Sequence, residues 1–130
     1  MAILDFNHLN LRAPPTQLEK LRAFYCDVLG LTKGYRPPVN SVGYWLYAGD
    51  RVVLHLSTAL PTEPQPVEAT TTFNHIAFSC ADVAGFEQRL KQHGVSYRIG
   101  GMQQRQVQIF LKDPAGNGVE LNFANESDNI

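Results

Sequence analysis

Strict alternation opens the chain. In FNHLNLR, Phe6 to Arg12, the residues Asn7, Leu9 and Leu11 share one face, and Phe6, His8, Asn10 and Arg12 share the other. A period of two predicts a β-strand. Pro14 and Pro15 stop it. Thr16 to Glu19 (TQLE) has the form of a capping box, with Thr16 as N-cap and Glu19 reaching back. Leu18, Leu21, Tyr25 and Val28 then recur at helical spacing, and Gly30 stands where a C-terminal cap belongs. Leu31 to Tyr35 predicts a short strand and Val42 to Ala48 an aromatic one. Gly49-Asp50 predicts a tight turn into a strong strand, Arg51 to Ser57. The first module, about residues 4–57, therefore reads β-α-β-β-β.

Residues 58–72, TALPTEPQPVEATTT, carry no periodicity and read as a linker. The order then restarts. Phe73 to Cys80 opens with FNH again and alternates like the first strand. Asp82 predicts a helix cap, Val83, Phe86 and Leu90 an inward face, and Gly94 the helix end. VSYRI, VQIFLK and VELNF predict three more strands, with DPAGNG between the last two. The second module, about residues 73–124, is also β-α-β-β-β, so the chain of 130 residues is one domain built from an internal repeat. The class is α+β: a helix covers one face of each module's strands, and a curved mixed sheet turns its other face to a cup.

Phase sorts the chemistry. Leu9 and Leu11 face the helix, so His8 faces the cup. By the same alternation His55, between Leu54 and Leu56, faces the cup, as do His75 before Ile76 and Glu120 between Val119 and Leu121, with Asn122 beside it. The repeat pairs His8 with His75 and His55 with Glu120. Imidazoles and a carboxylate are ligands shared by Zn, Fe, Ni, Co and Mn, so one divalent metal ion per site is expected. A buried carboxylate without a partner is costly, and a metal removes that cost. His93, beside Gly94 at a helix end, reads as a solvated residue and is set aside.

The totals narrow the partners. With 11 basic and 12 acidic residues and a net charge of −1, the chain shows no footprint for nucleic acid or an anionic membrane. It has no signal-peptide pattern and no apolar run near the roughly 20 residues of a membrane helix. Cys26 and Cys80, far apart, read as buried free thiols in a reducing cytoplasm.

The FNH strand starts, FYCDVLGL at Phe24 to Leu31 and DPAGNGVEL at Asp113 to Leu121 resemble the vicinal oxygen chelate superfamily. That group holds glyoxalase I, extradiol dioxygenases, and fosfomycin- and bleomycin-resistance proteins. The resemblance covers roughly Leu4 to Ala124. It implies paired βαβββ modules, a metal in the cup, a small-molecule substrate and a homodimer. Glyoxalase I-like lyases place ligands at all four positions, commonly with Glu where His55 stands. Their glutathione-contacting Arg matches Arg12, but the matching Asn is replaced by Ala59. Extradiol dioxygenases use two His and one Glu, matching His8, His75 and Glu120, with a further His matching His55 as acid/base. Their catalytic Tyr aligns with Phe110, which donates no proton. Fosfomycin-resistance proteins use the same triad, but no basic cluster for a phosphonate stands out.

The resemblance thus implies metal ligands His8, His75, Glu120 and His55, catalytic roles for His55 and Glu120, and substrate contacts from Arg12, Asn122 and Phe110. Three ligands plus a further His favour dioxygenase chemistry, with a glyoxalase I-like lyase as the alternative. A metal-free drug-binding protein is the other alternative. Among the aromatics, Trp45 and Tyr47 share one strand face and Tyr44 takes the other, and which of these meets the cup stays open. Gly100 to Gln106 reads as a polar loop over a pocket, with Arg105 as an anion contact.

Overall fold

The computed structural model describes residues 1–63, 72–100 and 106–124. The chain divides into two compact units, Met1–Gln65 and Pro66–Ile130. Each is a mixed four-stranded sheet with a helix, an α+β arrangement.

The first unit runs β1 (Leu9–Ala13), α1 (Pro15–Ala23), a π-helical turn (Phe24–Val28), β2 (Thr32–Gly34), β3 (Gly43–Ala48) and β4 (Arg51–Thr58). Its strand order is β1-β4-β3-β2. β1 lies parallel to β4, and the other neighbours are antiparallel. α1 packs on β1 and β4. Leu18 and Leu21 on α1, Leu46 on β3 and Leu54 and Leu56 on β4 are all buried. The second unit repeats the plan with β5 (His75–Ser79), α2 (Val83–Gln92), β6 (Tyr97–Gly100), β7 (Gln106–Lys112) and β8 (Gly118–Ala124), in the order β5-β8-β7-β6. Its core is Leu90, Val107, Ile109, Leu111, Val119, Leu121 and Phe123. Phe86 of α2 meets Phe123 of β8 edge to face. Among the described residues no helix is long and apolar enough to cross a membrane.

Several boundaries differ from those the sequence predicts. No capping box forms on Thr16. The helix starts two residues earlier than that cap would set it, after an extended Pro14, and no side chain caps it. Pro15 suits that first position because its φ is already helical and its missing N–H would have been unpaired anyway. Glu19 instead accepts hydrogen bonds from the Tyr44 hydroxyl on β3 and from Arg22. The helix also widens before it ends. Leu29 N–H reaches back five residues to the Phe24 carbonyl, which admits one extra residue and leaves both Tyr25 and Val28 buried. Gly30 then closes it at φ 90, as its position predicts. In the second unit Asp82 caps α2 through a bond from Gly85 N–H, also as expected. The strand expected over 31–35 shrinks to β2. The strand expected from Phe6 begins at Leu9, so His8 precedes it.

One close approach is visible at Gly43. A Cβ there would sit 1.9 Å from the Leu56 carbonyl oxygen. Leu56 adjoins His55, so this glycine sets how closely β3 passes the site. Gly43→Ala must push the strands apart and is expected to lower stability by about 1–3 kcal/mol, the usual cost of overpacking, read as a lower urea midpoint.

Candidate metal-binding residues

In the first unit the parallel register pairs Asn10 with His55 and Arg12 with Ser57. These side chains lie on the face away from α1. His8, two residues before Asn10, falls on the same face and stacks on His55, with ring centroids 3.7 Å apart and planes 15° apart. Trp45 pairs with His55 from the other neighbouring strand and stacks on it too, at 4.1 Å and 8°. His55 is therefore held between two rings and is only 9% exposed. Its Nε2 is buried and meets no hydrogen-bond partner among the described residues. Burial first, then the nearby His8 and Arg36, hold its pKa below the ordinary histidine value. His55 is neutral at pH 7, with its Nε2 uncommitted. The aromatic face left open by the sequence is thereby settled for Trp45.

In the second unit β8 sits between β5 and β7. Its register pairs Glu120 with Ala77 on one side and Phe110 on the other. Glu120 is 9% exposed. Its Oε1 lies 3.6 Å from His75 Nε2, and its Oε2 is 3.4 Å from Asn122 Nδ2. His75 heads β5 opposite Gly118. A Cβ on Gly118 would lie 2.5 Å from the Asn74 carbonyl oxygen and 2.9 Å from His75 Cβ. The bare glycine is what lets β5 bring His75 this close to β8.

The repeated FNH now has a physical reason. Asn7 Oδ1 lies 2.7 Å from His8 Nδ1, and Asn74 Oδ1 lies 2.8 Å from His75 Nδ1. An amide oxygen only accepts, so each Nδ1 donates to it, and Nε2 is the ring nitrogen turned away from the asparagine. That is the outer-shell contact a metal-ligating histidine commonly makes. His8 and His55 in the first unit, and His75 and Glu120 in the second, are each of the donor types that divalent metal ions take. Asn7→Ala and Asn74→Ala release the ring tautomers and are expected to weaken metal affinity by about 10–100-fold each, measured by competition with a chelating dye.

The expected residues are thus brought together as two pairs, His8 with His55 and His75 with Glu120. Among the described residues no group of three or more His, Cys, Asp or Glu is gathered. Asn122 stands beside Glu120, as the sequence predicts. Phe110 is the cross-strand neighbour of Glu120, with the Arg98 guanidinium over its ring, 4.5 Å from the centroid. Arg12 has internal partners. It is ion-paired to Glu63 through both Nε and Nη2 and donates to Ser57 Oγ, so an internal carboxylate occupies the guanidinium read as a substrate contact. Two cations on the face of Glu120, Arg98 and Lys112, escape sequence reasoning. The alternation of Phe110 and Lys112 is their only signal. Arg105 and the loop over 101–105 lie outside the described residues.

Comparison with known proteins agrees with this plan. A family model described as the Glyoxalase/Bleomycin resistance protein/Dioxygenase superfamily matches residues 5–121. The chain is 30% identical over 129 residues to Glyoxylase I 4 of Arabidopsis thaliana, covering 92% of this chain and 70% of that protein. A Bacillus anthracis protein assigned to the glyoxalase family has a similar structure, with a TM-score of 0.72 and 22% identity over 95% of this chain and 98% of that one. So has the fosfomycin resistance protein FosX from Listeria monocytogenes, solved with Mn(II) and sulfate, at a TM-score of 0.65 and 19% identity, covering 95% and 94%.

Proposed function

The chain belongs to the Glyoxalase/Bleomycin resistance protein/Dioxygenase superfamily, and on that premise we propose that it is a divalent-metal-dependent enzyme. We read His8 and His55 of the first unit, and His75 and Glu120 of the second, as its metal ligands. The observation that carries this reading is His55 Nε2, buried without a hydrogen-bond partner among the described residues. Leaving such an atom unpaired costs about 1–3 kcal/mol, and coordination removes the cost. Three imidazoles and a carboxylate suit Fe, Zn, Ni, Mn or Co. FosX, which has the same fold, was solved with Mn(II).

A bound ion of this kind supplies Lewis acidity toward a small substrate that chelates it through neighbouring oxygens. The chain's residues do the rest. Trp45 and His8 shield His55 from water by stacking. Asn122 steadies one oxygen of Glu120. The other oxygen, facing His75, takes a proton from a substrate carbon and returns it to the neighbouring carbon, while the hydroxyl proton passes from the first carbon's oxygen to the second's. This is glyoxalase I-like lyase chemistry on a thiol adduct, and the 30% identity to a protein named Glyoxylase I 4 supports it. The sequence pattern favours the dioxygenase arrangement; the unpartnered Nε2 shifts the balance to His55 as a ligand.

Extradiol-dioxygenase-like chemistry is the second reading, with ligands His8, His75 and Glu120 and with His55 as acid/base. Its support is the lowered pKa of His55, which keeps the ring neutral and ready to accept a proton. A metal-free, bleomycin-resistance-like protein has no use for three histidines and a glutamate in one phase. Metal analysis of protein purified without added metal tests these readings together. Nickel or zinc with turnover of a hemithioacetal supports the lyase, iron with O₂ uptake on catechols supports the dioxygenase, and no metal overturns both. The same reading makes the protein a cytoplasmic homodimer, checked by sedimentation and by fractionation of the cell.

A further inference from the structure

We propose that Arg98 and Lys112 form an oxyanion-binding subsite beside His75, and that the substrate places a carboxylate or phosphoryl group there. The assignment of that anion to a substrate rests on the metal-enzyme reading above. The subsite itself rests on the second unit alone. A cavity of about 250 Å³ opens on the face away from α2, lined by Asn74, His75, Arg98, Phe110, Lys112 and Gly118. Functional small-molecule sites run from roughly 300 to 1,000 Å³, so the ligand here is small.

Register explains why the cations converge. Arg98 pairs with Phe110, and Phe110 pairs with Glu120, so the three form one row across the sheet. Lys112 pairs with Gly118, and Gly118 with His75, forming the adjoining row. Both rows present side chains to the same face. Gly118 adds no side chain, which leaves the space between Lys112 and His75 open. Phe110 holds the Arg98 guanidinium over its ring by a cation–π contact. Phe110 is thus a positioning residue for Arg98, a task that needs no hydroxyl.

Four other arginines in the described residues hold polar internal partners, while Arg89 lies over the Phe86 ring, 5.6 Å from its centroid. Arg12 pairs with Glu63, Arg22 with Glu19, Arg51 with Asp5, and Arg36 binds Ser41. Among the described residues Arg98 and Lys112 have no carboxylate within ion-pair distance. The carboxylate nearest in register, Glu120, faces His75 and Asn122 instead. Two uncompensated cations at the rim of a cavity attract an anion, and a planar guanidinium suits the two oxygens of a carboxylate or phosphoryl group.

The test is an NMR titration of the full, metal-free chain with methylphosphonate and, separately, with propionate. At least one anion is expected to shift the Arg98, Phe110 and Lys112 amides, and whichever binds more tightly identifies the group. Arg98→Met and Lys112→Met should each weaken that binding by about five- to tenfold. Phe110→Tyr should keep it and Phe110→Leu weaken it, because only the former retains a ring under Arg98. Raising the salt should weaken it further. Binding of neither anion, or undiminished affinity in Arg98→Met, overturns the subsite. Metal content measured on the same preparations separates the two readings. Anion binding without metal uptake leaves the subsite and removes the metal enzyme; metal uptake without anion binding does the reverse.

Discussion

Glu120→Ala and His75→Ala are expected to lose most of their bound metal, by more than the roughly 10–100-fold that outer-shell changes cost. Each change removes a donor and also strands its neighbour. Without Glu120, His75 Nε2 loses the carboxylate oxygen 3.6 Å away and Asn122 loses its acceptor. Without His75, a carboxylate that is 9% exposed is left with the Asn122 amide as its hydrogen-bond neighbour. Glu120→Gln is the sharper variant. It preserves shape and the Asn122 contact while removing the charge, so it should fold like the parent, bind metal more weakly, and lose turnover by roughly 10²–10⁴-fold as a missing base does. Metal content by elemental analysis and stability by urea unfolding separate these effects. Full metal occupancy in Glu120→Ala removes Glu120 from the ligand set.

Much of this site is legible in the sequence because strand alternation is a geometric rule. Leu54-His55-Leu56 and Val119-Glu120-Leu121 each set one polar side chain between two core residues, and such a triplet has one possible phase. The repeat matches His8 with His75 and His55 with Glu120, whereas the stack of His8 on His55 depends on the parallel register of β1 and β4, which alternation alone does not give. What stayed hidden depends on contacts rather than period. The start of α1 is set by two prolines that compete with Thr16 for the cap. The π-helical turn adds a residue that no spacing argument reveals. Trp45 could not be assigned a face because Tyr44, Trp45 and Tyr47 put aromatics on both sides of β3, and a register shift between Leu46 and Tyr47 blurs the alternation further. Arg98 sits on a four-residue edge strand, too short to show a period. The Arg12–Glu63 pair joins a strand to a segment whose sequence has no pattern at all.

His55→Ala decides between the two enzyme readings. As a ligand, His55 gives its lone pair at Nε2, and the variant should lose metal affinity together with activity. As an acid/base outside the ligand set, it should leave the metal in place while turnover falls by roughly 10²–10⁴-fold. The stack complicates a simple deletion. Removing the ring from between His8 and Trp45 opens a gap in the face, so His8 is free to turn and some metal loss follows from that alone. His55→Phe guards against this. It keeps a planar ring between the other two and removes only the nitrogens. Metal retained in His55→Phe with activity lost supports the dioxygenase-like role, and metal lost supports coordination. The pH profile gives an independent reading. Burial and His8 hold the His55 pKa below the ordinary value near 6.5, so the ring stays neutral down to a lower pH than a free histidine. An acid limb of kcat set by His55 should therefore lie below that ordinary value and vanish in His55→Phe. If His55 is instead a ligand, the same protonation expels the metal, and metal release and loss of activity should trace one curve as the pH falls.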